Sequence, residues 1–450
     1  MRDLLLVGFL FVAIFYAFKR PYLGVAAWVW IALTAPANWA FGFSQDFRLN
    51  LTIVLVTALA YVFVQKQKSF KLGGIGMLVI LFCFWTFITT LFNNNSSPSY
   101  VWYIFTEFLK VAALFFFLVL IVRKRLHIDT IIWALILSVS SYAGMEAVKF
   151  ILSGGGHKVV GRAGIMIDRN DLAVAINMCI PFIVYLIQSS KHRLVRHGLW
   201  LLLGLNVIAI IGTGSRGGFI GLAILALAFW WRSRHKLIWL LLAALVLPVA
   251  YQYTPEQWRE RQSTIQTAAT EDGSFIGRLW AWKISSMIAR DDPLTGGGFR
   301  AVTDPILWHS YAPYTPVFGP IDTPEIPADK APKAAHNVYF QVLGDHGVVG
   351  FIIFMLLLLS TFLASNQSLK LMRKHKNDWG IQLCSALYLS LIGYAVTGAN
   401  VSLAYFDLAY TLYGLIAVVS LRRQELLTEH SGHDAVKVTG LQPAKTQGTA

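Results

Sequence analysis

Charged side chains are scarce: Asp, Glu, Lys and Arg together make up 14% of the 450 residues, against roughly 25% in an average soluble domain. With 56% of residues hydrophobic, a chain of this size has too little interior to hide its apolar surface from water. A soluble enzyme is therefore excluded. Cysteine is nearly absent. Cys83, Cys179 and Cys384 all lie in apolar stretches, none at C-x-x-C spacing, and the count is odd, which argues against a structural disulfide or a cysteine zinc site. Low-complexity sequence is missing too, with 35 Gly and 15 Pro, so the chain is neither fibrous nor disordered. Nor do apolar and polar residues alternate, as they do in the strands of an outer-membrane barrel.

What is present is a series of about thirteen apolar blocks, such as 4–18, 101–122 and 343–365. At roughly 20 residues each they use more than half of the chain, and each reads as a membrane-spanning helix. The expected fold is an all-α, polytopic integral membrane protein of about twelve transmembrane helices. Blocks 4–18 and 22–40 set that number. As one broken crossing they give twelve spans with both termini inside, the preferred reading. As two crossings they leave the N-terminus outside.

The formal net charge is +15. On a soluble protein this would point to nucleic acid. Here it follows membrane topology, because Lys and Arg collect in cytoplasmic links. Lys66/Lys68/Lys71, Arg123–Arg125, Lys191/Arg193/Arg196, Arg232/Arg234/Lys236, Lys370/Arg373/Lys374/Lys376 and Arg422–Arg423 occupy every other link. Links 41–48, 93–99, 153–168, 213–216 and 251–344 alternate with them and should face outward. No nucleic-acid partner is expected, and the surroundings are membrane lipids. The chain thus divides into an N-terminal bundle (1–250), an outer loop domain (251–344), C-terminal spans (345–421) and a polar tail (422–450) expected to be cytoplasmic and disordered. The outer loop carries ten acids and eight bases, so the positive excess lies on the other side. A structureless connection this long is uncommon. Residues 257–270 and 278–290 should be helical, and 305–332 a proline-stiffened lid.

Four constellations fall on the outward side. Thr213-Gly214-Ser215-Arg216-Gly217-Gly218 joins two spans. Glycines that leave backbone N–H groups free at a helix N-terminus, beside a guanidinium, suit an anion; the plainer reading is an arginine snorkelling at the membrane boundary. The Walker A terminus is missing. Gly277-Arg278-Leu279-Trp280-Ala281-Trp282 puts Arg278 and Trp282 one turn apart, as a phosphate flanked by sugar or lipid would want; otherwise Arg278 is a solvated charge on an amphipathic helix. Pro293-Leu294-Thr295-Gly296-Gly297-Gly298-Phe299-Arg300 allows close backbone approach to a ligand, or is a flexible turn. Ala335-His336-Asn337-Val338-Tyr339 leads into Gly344-Asp345-His346-Gly347. His336 can serve as a general base, though a lone histidine is more often structural. Glu107/Lys110 and Glu146/Lys149 are spaced to neutralise one another within spans, and Asp407 stands alone. Asp291-Asp292 lacks ligand partners at metal spacing, so no metal or other cofactor is expected.

In order along residues 160–350, T-x-S-R-G, G-R-x-W, P-L-x-G-x-G-F and H-N-x-Y…G-x-x-G resemble the bacterial O-antigen ligase / O-antigen polymerase superfamily. Gly161-Arg162 and Asp168-Arg169-Asn170 look like that family's segment before a central span. The resemblance implies a GT-C-like, metal-independent glycosyltransferase of the inner membrane with its active site on the periplasmic face. The donor would be a glycan on undecaprenyl pyrophosphate, and in the ligase branch the acceptor would be a sugar of lipid A–core. The chemistry of the residues fits. Pyrophosphate leaves with charge that arginine forks can hold, and a sugar hydroxyl needs a base. Direct attack at the anomeric carbon inverts it. His336, Arg216 and Arg278 are the candidate catalytic residues. Arg290, Arg300, Arg162, Asn337 and Tyr339 join the arginines as candidate contacts to the lipid-linked glycan. Two enzyme alternatives remain open, an O-antigen polymerase and a protein O-oligosaccharyltransferase, with loop 311–331 reading the acceptor. A lipid-linked glycan transporter is a third, although it would need charged residues spread through midplane spans.

Overall fold

The computed structural model describes residues 2–40, 42–66, 68, 70–162, 166–233, 236–237 and 273–428. The span expected at 236–251, apart from its first two residues, and the helix expected at 257–270 lie outside the described residues, as does the tail from 429. Among the described residues the chain is helical and no strand occurs. The helices are α1 (Arg2–Lys19), α2 (Pro21–Thr34), α3 (Leu49–Phe63), α4 (Gly73–Leu91), α5 (Pro98–Ile121), α6 (Arg125–Leu152), α7 (Arg169–Ser189), α8 (Arg193–Thr213), α9 (Arg216–Arg232), α10 (Gly273–Asp291), α11 (Pro305–Tyr311), α12 (Val338–Lys374), α13 (Asp378–Thr397) and α14 (Asp407–Leu421). Among the described residues seven of them, α4 to α8 with α12 and α13, are long and apolar enough to cross a membrane, and α2, α3 and α14 are shorter apolar helices. Helices satisfy their own backbone groups, which lipid cannot do. The chain is a multi-pass membrane protein.

The first two blocks correct the preferred reading. Pro21 opens α2 at its first turn, where its missing N–H costs nothing, and the chain reverses there. Asp3, at the start of α1, accepts hydrogen bonds from the backbone N–H of Gly42 at 3.2 Å and the hydroxyl of Ser44 at 2.7 Å, beyond the end of α2. The two helices are therefore an antiparallel hairpin, not one broken crossing. The hairpin turn lies at the basic end of the bundle: Tyr22 stacks on His127, ring centroids 4.0 Å apart.

Close packing depends on small residues, since helices in lipid gain little from apolar burial. A Cβ on Gly218 would come within 2.7 Å of Ala173 Cβ on α7, and one on Gly221 would collide with Thr397 on α13. Asn177, fully buried on α7, donates to the Gly218 carbonyl at 3.0 Å. These contacts set the N-terminal turns of α7 and α9 side by side. Val338 packs against Gly398, bringing the start of α12 to the same end.

The described part of the outer loop folds onto this end around a small core of Ile276, Trp280, Ile284, Met287, Ile288 and Trp308. Helix α10 exceeds its expected bounds at both ends, and the expected lid begins with a short helix, α11. Buried Lys283 ties the lid down, donating from Nζ to the carbonyls of Thr315 (2.6 Å) and Pro316 (3.3 Å) and to the Thr323 hydroxyl (3.1 Å). Burial pushes its pKa down. Helix α12 starts earlier than the expected span and kinks at Gly347 (φ 67°, ψ −170°). Its first segment lies along α10, where Trp282 stacks on Phe340 at 5.2 Å. The polar tail also departs from expectation at its start: 423–428 are helical, and Arg422 and Leu426 are buried.

The three-glycine loop packs on that kink. Gly297 and Gly298 donate backbone N–H groups to the carbonyls of Gly344 (3.0 Å) and Asp345 (2.9 Å), and Val348 donates to the Pro293 carbonyl (2.8 Å). The close backbone approach foreseen for a ligand is made to the chain itself. Gly296 has φ +60°, and a Cβ there would sit 2.6 Å from both the Gly344 oxygen and the Gly347 nitrogen. Gly154 has φ +61° with open space around it. Both alanine variants bear a left-handed backbone cost of about 1–2 kcal/mol, but only Gly296→Ala must also displace backbone, adding about 1–3 kcal/mol. Thermal unfolding in detergent should show a clearly larger fall for Gly296→Ala; equal falls would contradict this packing.

Candidate functional site

Three helix N-termini meet at the end covered by the outer loop. At α9, Gly214 takes φ 60° as the C-cap of α8, and Ser215 caps the next helix by accepting from the Gly218 N–H at 3.2 Å. The Gly218 N–H foreseen as free for an anion is thus used by the cap. At α7, the Asp168 carboxylate accepts from the Asn170 N–H at 2.6 Å. At α12, the Asn337 side chain accepts from the N–H groups of Tyr339 (2.9 Å) and Phe340 (3.3 Å). Aligned peptide dipoles make each such end favourable to negative charge.

Arg278, in the first turns of α10, donates from Nη1 to Asn400 Oδ1 at 3.1 Å. Asn400 in turn lies against Gly217, the residue after Arg216, with 2.6 Å between its Cβ and a Cβ built on that glycine. The residues that link the two arginine motifs are therefore in direct contact, although 62 positions separate Arg216 from Arg278. His336 completes the group. Its backbone N–H donates to the Ser402 hydroxyl at 2.9 Å, and its φ of 44° places it in the left-handed region, which a non-glycine residue enters at a cost. It precedes α12, outside the spans. Burial holds its pKa below the usual histidine value, with the Arg278 charge next, while Asp168 pulls the other way and Lys333 adds a smaller lowering effect. A half-buried imidazole kept neutral beside a guanidinium can accept a proton while an anion is held next to it.

The other candidates divide. Arg300 is exposed at φ 65°, at the end of the three-glycine loop, and electrostatically coupled to Asp171 at the start of α7. Arg290 is paired with Asp291, Nε to Oδ1 2.9 Å, and lies over Phe318 at 5.5 Å; along the helix it is about 18 Å from Arg278. Arg162 lies over Trp39 at 5.0 Å, beside a cavity lined by Leu33, Ser138, Tyr142 and Leu172. Asn337 and Tyr339 serve the fold: the first caps α12, and the second ties α12 to α13 by donating its hydroxyl to the Ala395 carbonyl at 2.7 Å. The Glu107–Lys110 pair closes at 2.5 Å, and Glu146 holds both Lys149 (2.6 Å) and His157 (2.7 Å). Asp407 opens α14, where its charge suits the helix end. Asp168, Asn400 and Ser402 were not singled out by sequence as site residues. Asp168 carried a weak signal as part of Asp168-Arg169-Asn170 in the family-like segment; the other two carried none.

Two family models match the chain. One, described as a family of unknown function (DUF5935), covers residues 1–192. The other, described as O-Antigen ligase, covers residues 197–355 and so contains Arg216, Arg278, Arg300 and His336. No curated protein matches the chain. The match over residues 197–355 supports the O-antigen ligase superfamily, whose members are membrane glycosyltransferase-like enzymes.

Proposed function

We propose that the protein is an O-antigen ligase of the bacterial inner membrane. It transfers a glycan from undecaprenyl pyrophosphate to a sugar hydroxyl of lipid A–core, on the periplasmic face. The observation that carries this reading is the convergence of His336 with Arg278 and, through Asn400, with the α9 end that bears Arg216. One arrangement then supplies both needs of the reaction. His336 takes the proton of the attacking hydroxyl as that oxygen bonds to the anomeric carbon. The bond from that carbon to the pyrophosphate oxygen breaks, and its electron pair leaves on pyrophosphate. Arg216 and Arg278 hold that charge, a task for which planar guanidinium forks suit phosphate oxygens without a metal ion. Displacement from the opposite face inverts the anomeric centre. Arg300 borders this site, and the lid over 312–331, fixed by Lys283, faces the acceptor. The lipid tail of the donor rests against the spans.

The test is transfer by purified protein from a defined undecaprenyl pyrophosphate glycan, with lipid A–core, a peptide acceptor and a second lipid-linked glycan offered side by side. Product on lipid A–core alone is the expected result. Product on the second glycan would make the protein a polymerase, and product on the peptide a protein O-oligosaccharyltransferase.

A further inference from the structure

The link between α13 and α14 lies beyond the segment matched by the O-Antigen ligase model, yet it touches the candidate centre at each point where that centre is held together. Asn400 accepts from Arg278 and fills the space over Gly217, and Ser402 accepts from the backbone N–H of His336. The link is itself fastened from both sides. The Ala404 N–H donates to Gln341 Oε1 at 3.1 Å, the Tyr405 hydroxyl to Asp345 Oδ2 at 2.9 Å, and the Tyr394 hydroxyl to the Leu403 carbonyl at 3.0 Å. Ala404, Gln341, Asp345 and Tyr394 are all buried. A loop so anchored is a rigid template.

We infer that Asn400 and Ser402 are positioning residues for glycosyl transfer: Asn400 orients the Arg278 guanidinium, and Ser402 holds His336 in its left-handed backbone conformation. This inference rests on the function proposed above. The physical reasons differ for the two residues. An arginine side chain has several rotatable bonds, and an acceptor at one end of its fork selects one orientation of the remaining donors. A left-handed non-glycine residue persists only where its surroundings over-determine it. His336 has that support in the hydroxyl of Ser402, since its own N–H would otherwise lose its partner. Relaxation of φ would swing the imidazole away from the acceptor hydroxyl.

The experiment compares purified Ser402→Ala, Ser402→Thr, Asn400→Ala and Asn400→Asp with wild type, His336→Ala and Arg278→Ala. It uses steady-state transfer from the defined donor and thermal unfolding in detergent. Ser402→Ala should lower kcat about 10- to 100-fold with little change in donor KM, as expected for misplacement of a reacting group. Ser402→Thr, which keeps the hydroxyl, should restore most of the loss. Asn400→Ala should raise the donor KM as well as lower kcat, and Asn400→Asp should recover donor affinity because a carboxylate still accepts from Arg278. Wild-type kinetics in Ser402→Ala and Asn400→Ala, while His336→Ala and Arg278→Ala are inactive, would overturn the positioning roles and leave the proposed function intact. Activity in His336→Ala and Arg278→Ala would instead remove the function on which the inference rests. If the alanine variants unfold, the Thr and Asp variants decide: kinetics as poor as those of His336→Ala in a folded Ser402→Thr protein would also overturn the inference.

Discussion

His336→Ala is expected to transfer glycan about 10²–10⁴-fold more slowly than wild type, the usual weight of a general base, while still binding donor. The imidazole stands at the mouth of α12 in a strained backbone conformation, half buried and close to Arg278. A sugar hydroxyl is a poor nucleophile until its proton leaves, so no binding energy substitutes for the missing base. The pH dependence gives a sharper check. As the proposed base, His336 would work only when neutral, and its pKa in the folded protein lies below the ordinary value of about 6.5, lowered first by burial and then by Arg278. The acidic limb of kcat/KM should therefore fall below that ordinary value. Arg278→Gln removes a cation that disfavours the protonated ring, so whatever activity remains should show that limb moved to higher pH. Asp168→Asn removes the group that favours protonation and should move the limb to lower pH, with the helix cap preserved because asparagine caps as well as aspartate. Wild-type transfer by His336→Ala, or limbs that move in the same direction in the two charge variants, would end the assignment.

Much of the architecture was legible because lipid allows so few backbone solutions. Apolar blocks had to be helices, and α5, α7 and α13 begin and end within a few residues of the stretches that hydropathy marks. The hairpin of α1 and α2 was available in Lys19-Arg20-Pro21, a basic link followed by a helix-opening proline, but the short apolar runs either side of it allowed a single broken crossing as well. Helix α12 starts at Val338, ahead of the expected span at 343–365, and it passes Gly344 but kinks at Gly347, both of which lie inside that span. Glycine misled most where it was richest. Sequence does not say whether a missing Cβ faces a ligand or the chain's own backbone, and in both Gly217–Gly221 and Gly296–Gly298 it faces the chain. Of the arginines, Arg290 stood behind Arg216 and Arg278, lacking their flanking glycines and tryptophans, and its partner is its neighbour Asp291. Asn400 and Ser402 were not legible. They are small polar residues in a short link, and only the folding of α13 against α7 and α9 sets them beside motifs 60 and more positions away.

Loss of the two site arginines should be as severe as loss of the base. Each of Arg216→Ala and Arg278→Ala is expected to lower kcat/KM about 10²–10³-fold, the range for removing a donor aimed at developing charge. Arg290→Ala, which loses an exposed pair with Asp291, should stay close to wild type. Because both arginines would act on one leaving group, the two losses should not add in full, and the double variant should fall short of the sum of its parents. Arg278→Lys tells geometry from charge: lysine keeps the charge but loses the planar fork that lets one N–H bond Asn400 and would leave others for the proposed pyrophosphate. It should recover only a small part of the activity. The direct readout is binding of undecaprenyl pyrophosphate without its glycan, which isolates the leaving group. Wild-type affinity in the Arg216→Ala, Arg278→Ala double variant would place the pyrophosphate elsewhere. Affinity lost in the double variant but retained in His336→Ala is the expected pattern, because the first change removes the anion's partners and the second removes only the proton acceptor.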